Sequence, residues 1–419
     1  MPTPYTTRTT SSLNSDTKKQ IAAKTLAIAE RQLVFYKFAE EEQLARGHSV
    51  TAYWYRYERL DPPTSTLTEG TTPSATTLSN TEVSATVAQW GQVVTITDLA
   101  EMTINHPLAE IAKQRVGDAM SSLIDREISL VALAGTGITY GGSATARSGL
   151  AAGDTFTSTV IRSAVQQLRD NGAPTFESGH YVGFISPSLE ADLRAESATG
   201  GFVEVMRYNG KEKFIEGEIG TWEGVRWVRT NFMPVYQRIT AVSGSDFSTA
   251  TTGGSLAGST TFYFKVVRKN LANGFEDEMT AEISSATGAG APVTHRITFT
   301  APATAGFVYD LYAGSASGDA NLFLHTSDIA VSGTGIVNTI PTSGATAPVT
   351  PASGVSAYPG LIIGKGFYGA TDLERLKGTY TPPGGSGDEL EQRRSIGAKT
   401  TFASVILNQN FGRRIEVAS

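Results

Sequence analysis

No cysteine occurs among the 419 residues of this chain. Disulfides, a thiolate nucleophile and cysteine-ligated zinc are therefore excluded, and stability has to come from packing and from partners. A reducing compartment fits this absence without following from it. Charge is scarce as well: Asp, Glu, Lys and Arg make up 18% of the chain, with a net charge of −6, which argues against a nucleic-acid binder held by a dense basic patch. Loose contact with nucleic acid on one face stays open. No apolar run is long enough to span a bilayer, and the opening MPTPYTTRTTSSLNSD lacks the apolar core of a secretory signal. The expectation is a soluble chain made in the cytosol, with no membrane contact. Histidine is down to five, His48, His106, His180, His295 and His325, at no metal-ligand spacing. Each reads as structural, and without a GxSxG elbow a serine hydrolase of that type has no support.

Glycine is plentiful, at 43 residues, and Thr and Ser accompany it, a composition suited to many strands and turns. One hydrophobic core serves roughly 250–300 residues, so this length implies at least two domains.

Residues before Asn14 are Thr/Ser-rich, offer little to bury and read as an arm. From Ser15 to Arg46, Ile21, Leu26, Ile28, Leu33, Val34 and Phe38 recur at mostly helical spacing, with Gly47 as a stop. Seven Lys/Arg, Arg8 included, face five acids there. Tyr53-Trp54-Tyr55-Arg56-Tyr57 puts aromatics on both faces of a strand that Asp61-Pro62-Pro63 ends. A polar loop carrying Leu67-Thr68-Glu69-Gly70 leads into Thr81–Asp98, an alternating strand pair interrupted at Trp90-Gly91. Val83, Ala85 and Val87 are in one phase and Val94 and Ile96 in the other, so Gly91 is expected to mark a bulge or bend. A long polar-faced β arm attached to a helix suits a subunit that reaches across its neighbour better than a monomeric enzyme.

That helix begins near Pro107, carries Leu108, Ile111, Ala112, Val116, Ala119, Met120, Leu123 and Ile124 as one stripe, and stops near Gly135, with Lys113, Gln114, Asp118 and Asp125 placed away from most of it. A helix over Thr157–Asn171, a buried strand Tyr181–Ile185 and a Ser186-capped helix through Leu193 describe an α/β layer. Phe202–Tyr208 is a further element, and Gly217–Arg229 reads as a hairpin. From about Gln237 to Ala357 helical periodicity vanishes. Strands at 261–267, 295–300, 307–312 and 322–325 alternate with Gly/Ser turns, the pattern of a β-sandwich that resembles immunoglobulin-like or fibronectin type III-like domains without their cysteine pair. An apolar strand resumes at Leu361–Ile363, so the sandwich reads as inserted, with Pro234 and Pro359 near its joints. Residues 395–417 finish with strands.

The candidate chemistry is thin. Gly364-Lys365-Gly366-Phe367-Tyr368-Gly369 matches GxGxxG after a strand, but Thr381-Pro-Pro-Gly-Gly-Ser-Gly387 follows soon after, so no βαβ unit closes and a glycine turn is the better account. Glu276-Asp277-Glu278 could join a calcium site, although a solvated strand end explains them as well. Tyr53, Trp54 and Tyr55 could stack on bases or sugars; with only Arg56 and Arg59 nearby, packing or an interface is the better reading. No catalytic, cofactor-binding or metal-binding constellation emerges.

The order of parts carries more. The loop with Leu67-Thr68-Glu69-Gly70 and Gln89-Trp90-Gly91, the helix from Pro107, Ile185-Ser186-Pro187, the Trp222-Glu223-Gly224-Val225 hairpin, Ile363-Gly364-Lys365-Gly366 and Phe402–Leu407 together resemble a tailed-bacteriophage major capsid protein. The subfamily resembled is that of the N-four-like phage coat proteins. The resemblance covers most of residues 15–235 and 358–417 and implies an α+β chain with the Hong Kong-type (Johnson) capsid fold. It implies an N-terminal arm (1–47), an extended loop (48–104), a peripheral domain with a long spine helix (105–153 and 370–419), an axial domain (154–236 and 358–369) and the inserted sandwich (237–357). The implied function is a non-enzymatic subunit that self-assembles into an icosahedral shell around the genome of a double-stranded DNA phage, found in the virion and assembled in the host cytoplasm. Tyr53, Trp54, Tyr55, Leu67, Glu69, Trp90 and Gly91 are the expected contacts between subunits, the basic arm would touch packaged DNA weakly, and the sandwich would meet a decoration protein or host glycan. An encapsulin-like nanocompartment shell and a surface adhesin or glycan-binding module are the alternatives.

Overall fold

The structure is a computed structural model that describes residues 34–418 except 45–48, several positions between 59 and 74, 104–107, 177–178, 197–217, 232, 240–241, 272–274, 277, 290–293, 353 and 385–389. The expected helix over Ser15–Arg46 and the element at Phe202–Tyr208 lie wholly or mostly outside the described residues. The end of that helical stretch is different from expectation: Glu40–Gln43 is a strand. Three consecutive exposed glutamates suit an edge strand, where their charges stay in water.

The chain divides into two compact units, one running to Ala134 and completed by Lys365–Gln409, the other formed by Gly135–Gly364 with Asn410–Ser419. In the first unit the 26-residue helix Leu108–Leu133 covers a four-stranded sheet in the order Glu40–Gln43, Tyr368–Thr381, Arg393–Ile406, Ala88–Thr97. Ala112, Val116, Met120, Ile124, Ile128 and Ala132 recur every fourth residue and are buried. So are their neighbours Lys113, Gly117, Ser121, Asp125, Ser129 and Leu133. The buried face is thus rotated from the expected one: Lys113 and Asp125 are inside, and Ile111 is exposed. Each polar group has at least one partner. Lys113 pairs with Glu110 at 2.8 Å, and Asp125 accepts two backbone N–H groups.

The arm is not one interrupted strand pair. Asn80–Thr86 pairs with Thr51–Tyr57 as a separate two-stranded sheet, whereas Ala88–Thr97 pairs without a register shift along Arg393–Phe402. The phase change therefore falls at Val87, between two sheets, and Gly91 sits in a regular strand with no bulge. A Cβ at Gly91 would lie 3.3 Å from the Ala398 carbonyl oxygen, so close approach to the neighbouring strand accounts for the glycine. A short helix, Asp98–Thr103, follows the strand and was not expected from periodicity.

The second unit is built on a six-stranded sheet in the order Ile138–Tyr140, Gly412–Ala418, Ala357–Ile363, Tyr181–Ile185, Val225–Arg229, Glu218–Trp222. Helices Ser158–Asp170 and Pro187–Ala195 belong to the same unit. The Ser186 Oγ accepts from the Leu189 N–H at 3.4 Å, as its position before Pro187 implies. The Glu218–Trp222 and Val225–Arg229 hairpin turns on Glu223 and Gly224, with φ of 52° and 77°, the left-handed pair that a two-residue hairpin turn requires. Residues 395–417, expected together beside the spine helix, are split. Arg393–Ile406 joins the sheet under the long helix, while Gly412–Ala418 enters this second sheet antiparallel to Ala357–Ile363. The reason lies in burial pattern: Ile415 and Val417 are fully buried and belong to the core formed by Ile161, Leu168, Trp227 and Ile362.

Among its described residues the segment 237–357 consists of strands and turns, as expected, with two single-turn 3-10 helices at Gly244–Asp246 and Asp319–Asn321. A three-stranded sheet, Phe247–Ala250, Arg296–Thr300 and Thr334–Val337, accompanies a second sheet built on Thr261–Asn270 and Phe307–Gly314. Phe247, Phe264, Phe299 and Tyr309 fill the space between them. Its entry and exit meet at an antiparallel bridge between Tyr236 and Ala357, so the two joints lie side by side.

Candidate functional site

The two-stranded sheet Thr51–Tyr57 and Asn80–Thr86 is the clearest surface. Side chains alternate across a strand, and here the alternation sorts the aromatics. Tyr53, Tyr55 and Tyr57 share one face and are 48%, 57% and 64% exposed. Opposite them on the same face stand Ser84, Glu82 and Asn80. The negative charge of Glu82, with burial and its hydrogen bond adding to it, holds the Tyr55 hydroxyl proton on and raises its pKa. Val50 and Leu78 are exposed near the ends of the two strands. The reverse face is used inside the chain: Ala52 is buried, the Trp54 ring lies over Gly369, where a Cβ would sit 3.1 Å from it, and the Arg56 guanidinium donates to the Leu407 carbonyl oxygen at 3.3 Å.

The structure thus separates the seven expected contact residues. Tyr53 and Tyr55 lie on a free face, Leu67 and Glu69 sit on an exposed loop, and Gly91 is exposed on its strand. Trp54 and Trp90 pack within the chain, the latter with Val94 and Leu123 against Val116, Met120, Leu376 and Ala398. Tyr57 was missed, although the period of two through Tyr53 and Tyr55 points to it.

A second constellation ties down the start of the described chain. Phe35 is fully buried. Its N–H donates to Asp125 Oδ1 at 2.8 Å, the Val34 N–H donates to the same oxygen at 3.1 Å, and the Tyr368 hydroxyl donates to the Phe35 carbonyl oxygen at 2.5 Å. The Tyr36 hydroxyl donates to Asp372 Oδ2 at 2.5 Å. Burial, then the bond to Asp372, raises the Tyr36 pKa strongly, and burial does the same to Tyr368, so both remain donors. Burial also pushes Asp125 up to about 6 against the opposing pull of the Phe35 and Val34 N–H groups. None of these residues stood out in the sequence, because their roles depend on partners some 90 to 336 positions away.

The chemical candidates do not converge. Among the described residues no group of three His, Asp or Glu side chains could hold a metal ion. His180, His295 and His325 lie on separate elements, and His48 and His106 fall outside the described residues. Glu278 pairs with Arg268, which leaves the Glu276–Glu278 segment as strand-end charge, and Asp277 lies outside the described residues. The GxGxxG segment joins strand Ala357–Ile363 to strand Tyr368–Thr381 with no helix between, so it lacks the helix N-terminus that would receive a phosphate. Gly366, at φ 76°, makes the turn, and Gly369 lies under Trp54.

No protein-family model matches the sequence, and no curated protein matches it. Solved structures do. The capsid of Ralstonia phage GP4 superposes with a TM-score of 0.52 at 12% identity, over 93% of this chain and 92% of that one. This is a phage capsid fold. The acid-stable capsid of Helicobacter pylori bacteriophage KHP30 gives 0.50 at 10% identity, over 90% and 88%. Identity this low speaks for the fold alone, and it spans nearly the whole of each chain, including both units.

Proposed function

We propose that this chain is a structural major capsid protein that self-assembles into the icosahedral shell around the genome of a tailed double-stranded DNA phage. The observation that carries the reading is the capsid fold shared with Ralstonia phage GP4 over almost the entire chain. A shell built from one repeated subunit gains its stability from many modest heterologous interfaces closed by symmetry, and a chain with no assembled catalytic or metal constellation among its described residues suits that role. In this reading residues 48–104 form the extended loop that lies on a neighbouring subunit, and Tyr53, Tyr55 and Tyr57 with Leu67 make the contact. The Lys/Arg-bearing N-terminal region is the inner contact with DNA. Residues 237–357 form an immunoglobulin-like insert that faces outward, available to a decoration protein or a host glycan. Electron microscopy of the purified protein tests the reading: closed icosahedral particles support it, and a monomer at every concentration and salt condition sinks it.

Two further outcomes are expected. The triple variant Tyr53→Ser, Tyr55→Ser, Tyr57→Ser should lose particle formation while its melting temperature changes little, since all three rings lie on an exposed face outside the core. Trp90→Ala should do the reverse. It removes a half-buried ring from the helix–sheet core and should cost about 2 kcal/mol of stability, read in denaturant melts. Residues 51–106 contain no lysine, so no isopeptide bond can start from a lysine on this loop. Denaturing electrophoresis of particles should give the monomer band, and a ladder of covalent multimers traced to this loop would contradict that.

A further inference from the structure

Asp125 is an unusual carboxyl to find at the centre of an anchor. It projects from the long helix, is 1% exposed, and uses one oxygen, Oδ1, for both the Val34 and Phe35 N–H groups. Its second oxygen, Oδ2, has no partner. No cation forms an ion pair with it among the described residues. Lys37 is the positive group whose charge reaches it, from an exposed position. The Tyr368 hydroxyl faces the site but spends its proton on the Phe35 carbonyl oxygen. Tyr36 and Asp372 are occupied with each other, with Glu41 and Arg375 acting on that pair, and Arg126 and Glu127, next along the helix, pair together.

A buried carboxylate with one unbonded oxygen and no counter-ion is costly, and the cheapest relief is a proton on that oxygen. Protonation at Oδ2 removes the charge and leaves Oδ1 free to keep accepting both backbone bonds. From this geometry we propose that Asp125 is an acid-strengthened latch: docking of residues 34–38 takes up one proton at this carboxyl. The latch does not depend on the capsid reading, because every group in it belongs to one unit of one chain.

The sign follows from linkage. With Phe35 seated, the Asp125 pKa stands at about 6; with Phe35 and its two donors gone, the carboxyl is open to water and returns to the ordinary value near ~3.9. The docked state therefore holds more protons between those two values. Docking is tightest below about pH 4, weakens as pH rises through 6, and levels off above it, a change of roughly 100-fold in the docking equilibrium for a separation of about 2 units. A switch of this kind fastens residues 34–38 in acid and loosens them at neutral pH.

Hydrogen–deuterium exchange of the full chain, corrected for the intrinsic pH dependence of exchange, reads the latch directly through the peptide that contains Val34–Phe38. Protection of that peptide should fall by roughly 50-fold between pH 4 and 7, while the peptide at Ile396–Ala398 in the same unit keeps its protection. In Asp125→Asn the side-chain carbonyl remains as acceptor and no charge is left to neutralise, so protection at Val34–Phe38 should become independent of pH. Tyr368→Phe removes the bond to the Phe35 carbonyl and should lower protection at every pH while keeping the wild-type slope. Flat protection in the wild type, an unchanged slope in Asp125→Asn, or a slope lost in Tyr368→Phe would each overturn the proposal.

Discussion

Glu416→Leu should cost the second unit about 3–5 kcal/mol of stability, because it leaves the Arg147 guanidinium buried without its counter-charge. Glu416 is fully buried and receives both ends of the Arg147 fork, Nε at 2.9 Å and Nη2 at 2.6 Å. Arg414 lies 2.9 Å from the same carboxylate. Burial lowers the Arg147 pKa, and in the parent chain the bonds and charge of Glu416 offset that and raise it; with Glu416 gone the guanidinium still keeps its proton, because arginine is too basic to deprotonate in a protein, so the penalty cannot be escaped that way. The fork also donates to the Val349 carbonyl oxygen at 3.1 Å and stacks on Tyr236 with its centre 3.7 Å from the ring. Tyr236 and Val349 lie near the two joints of the 237–357 insert, so this one ion pair fastens the insert's root to the six-stranded sheet. Equilibrium unfolding in guanidinium chloride measures the loss. The double variant Arg147→Met, Glu416→Leu should recover part of it, since a packed apolar pair of similar volume replaces the Arg147–Glu416 ions, while Arg414 still loses the carboxylate 2.9 Å from it. A double variant as unstable as the single one would show that packing, not charge, sets the cost.

Gly183→Val should prevent the second unit from folding cooperatively. Gly183 sits in the fully buried strand Tyr181–Ile185, and a Cβ added there would lie 2.4 Å from two ring carbons of Trp227 and 2.7 Å from a methyl of Val225. Trp227 is itself fully buried and meets Phe156 edge-on at 5.8 Å, so the ring has nowhere to retreat. Even Gly183→Ala should cost at least about 3 kcal/mol, the upper end of the usual overpacking penalty. Gly153→Ala is the control: its Cβ would meet nothing within 4 Å, and its melting should match the parent. Pairing Gly183→Ala with Trp227→Leu should restore part of the stability by making room, read as a rise in the denaturant midpoint over Gly183→Ala alone. No recovery would place the cost in the strand backbone instead of the ring.

Much of the architecture was legible along the chain because local chemistry announces it. Ser186-Pro187 caps a helix, Glu223-Gly224 closes a hairpin and the strand runs between 261 and 329 appear close to where alternation puts them. The α+β character and the order of long helix, α/β layer and inserted strands follow from such signals. The errors have one source. Asp125 and Lys113 look like solvent-facing residues until the sheet and Phe35 are in place. Gly91 looks like a bulge until its strand is seen to pair along Arg393–Phe402. Residues 395–417 look like one strand system until Gly412–Ala418 pairs with Ala357–Ile363.

What the sequence alone determined is what depends on neighbours in the chain: the absence of any cysteine chemistry, the periods of helix and strand, the turn residues, and the tyrosines at every second position of Tyr53–Tyr57. What only the tertiary structure decided is which face of each element is inside, and therefore which polar groups are bonded and which aromatics are free. That choice cannot be read locally, because a strand's two faces differ by one residue and a helix's by about a quarter turn. The side that wins is set by partners brought from the far end of the chain, as Tyr368 is to Phe35 and Glu416 to Arg147.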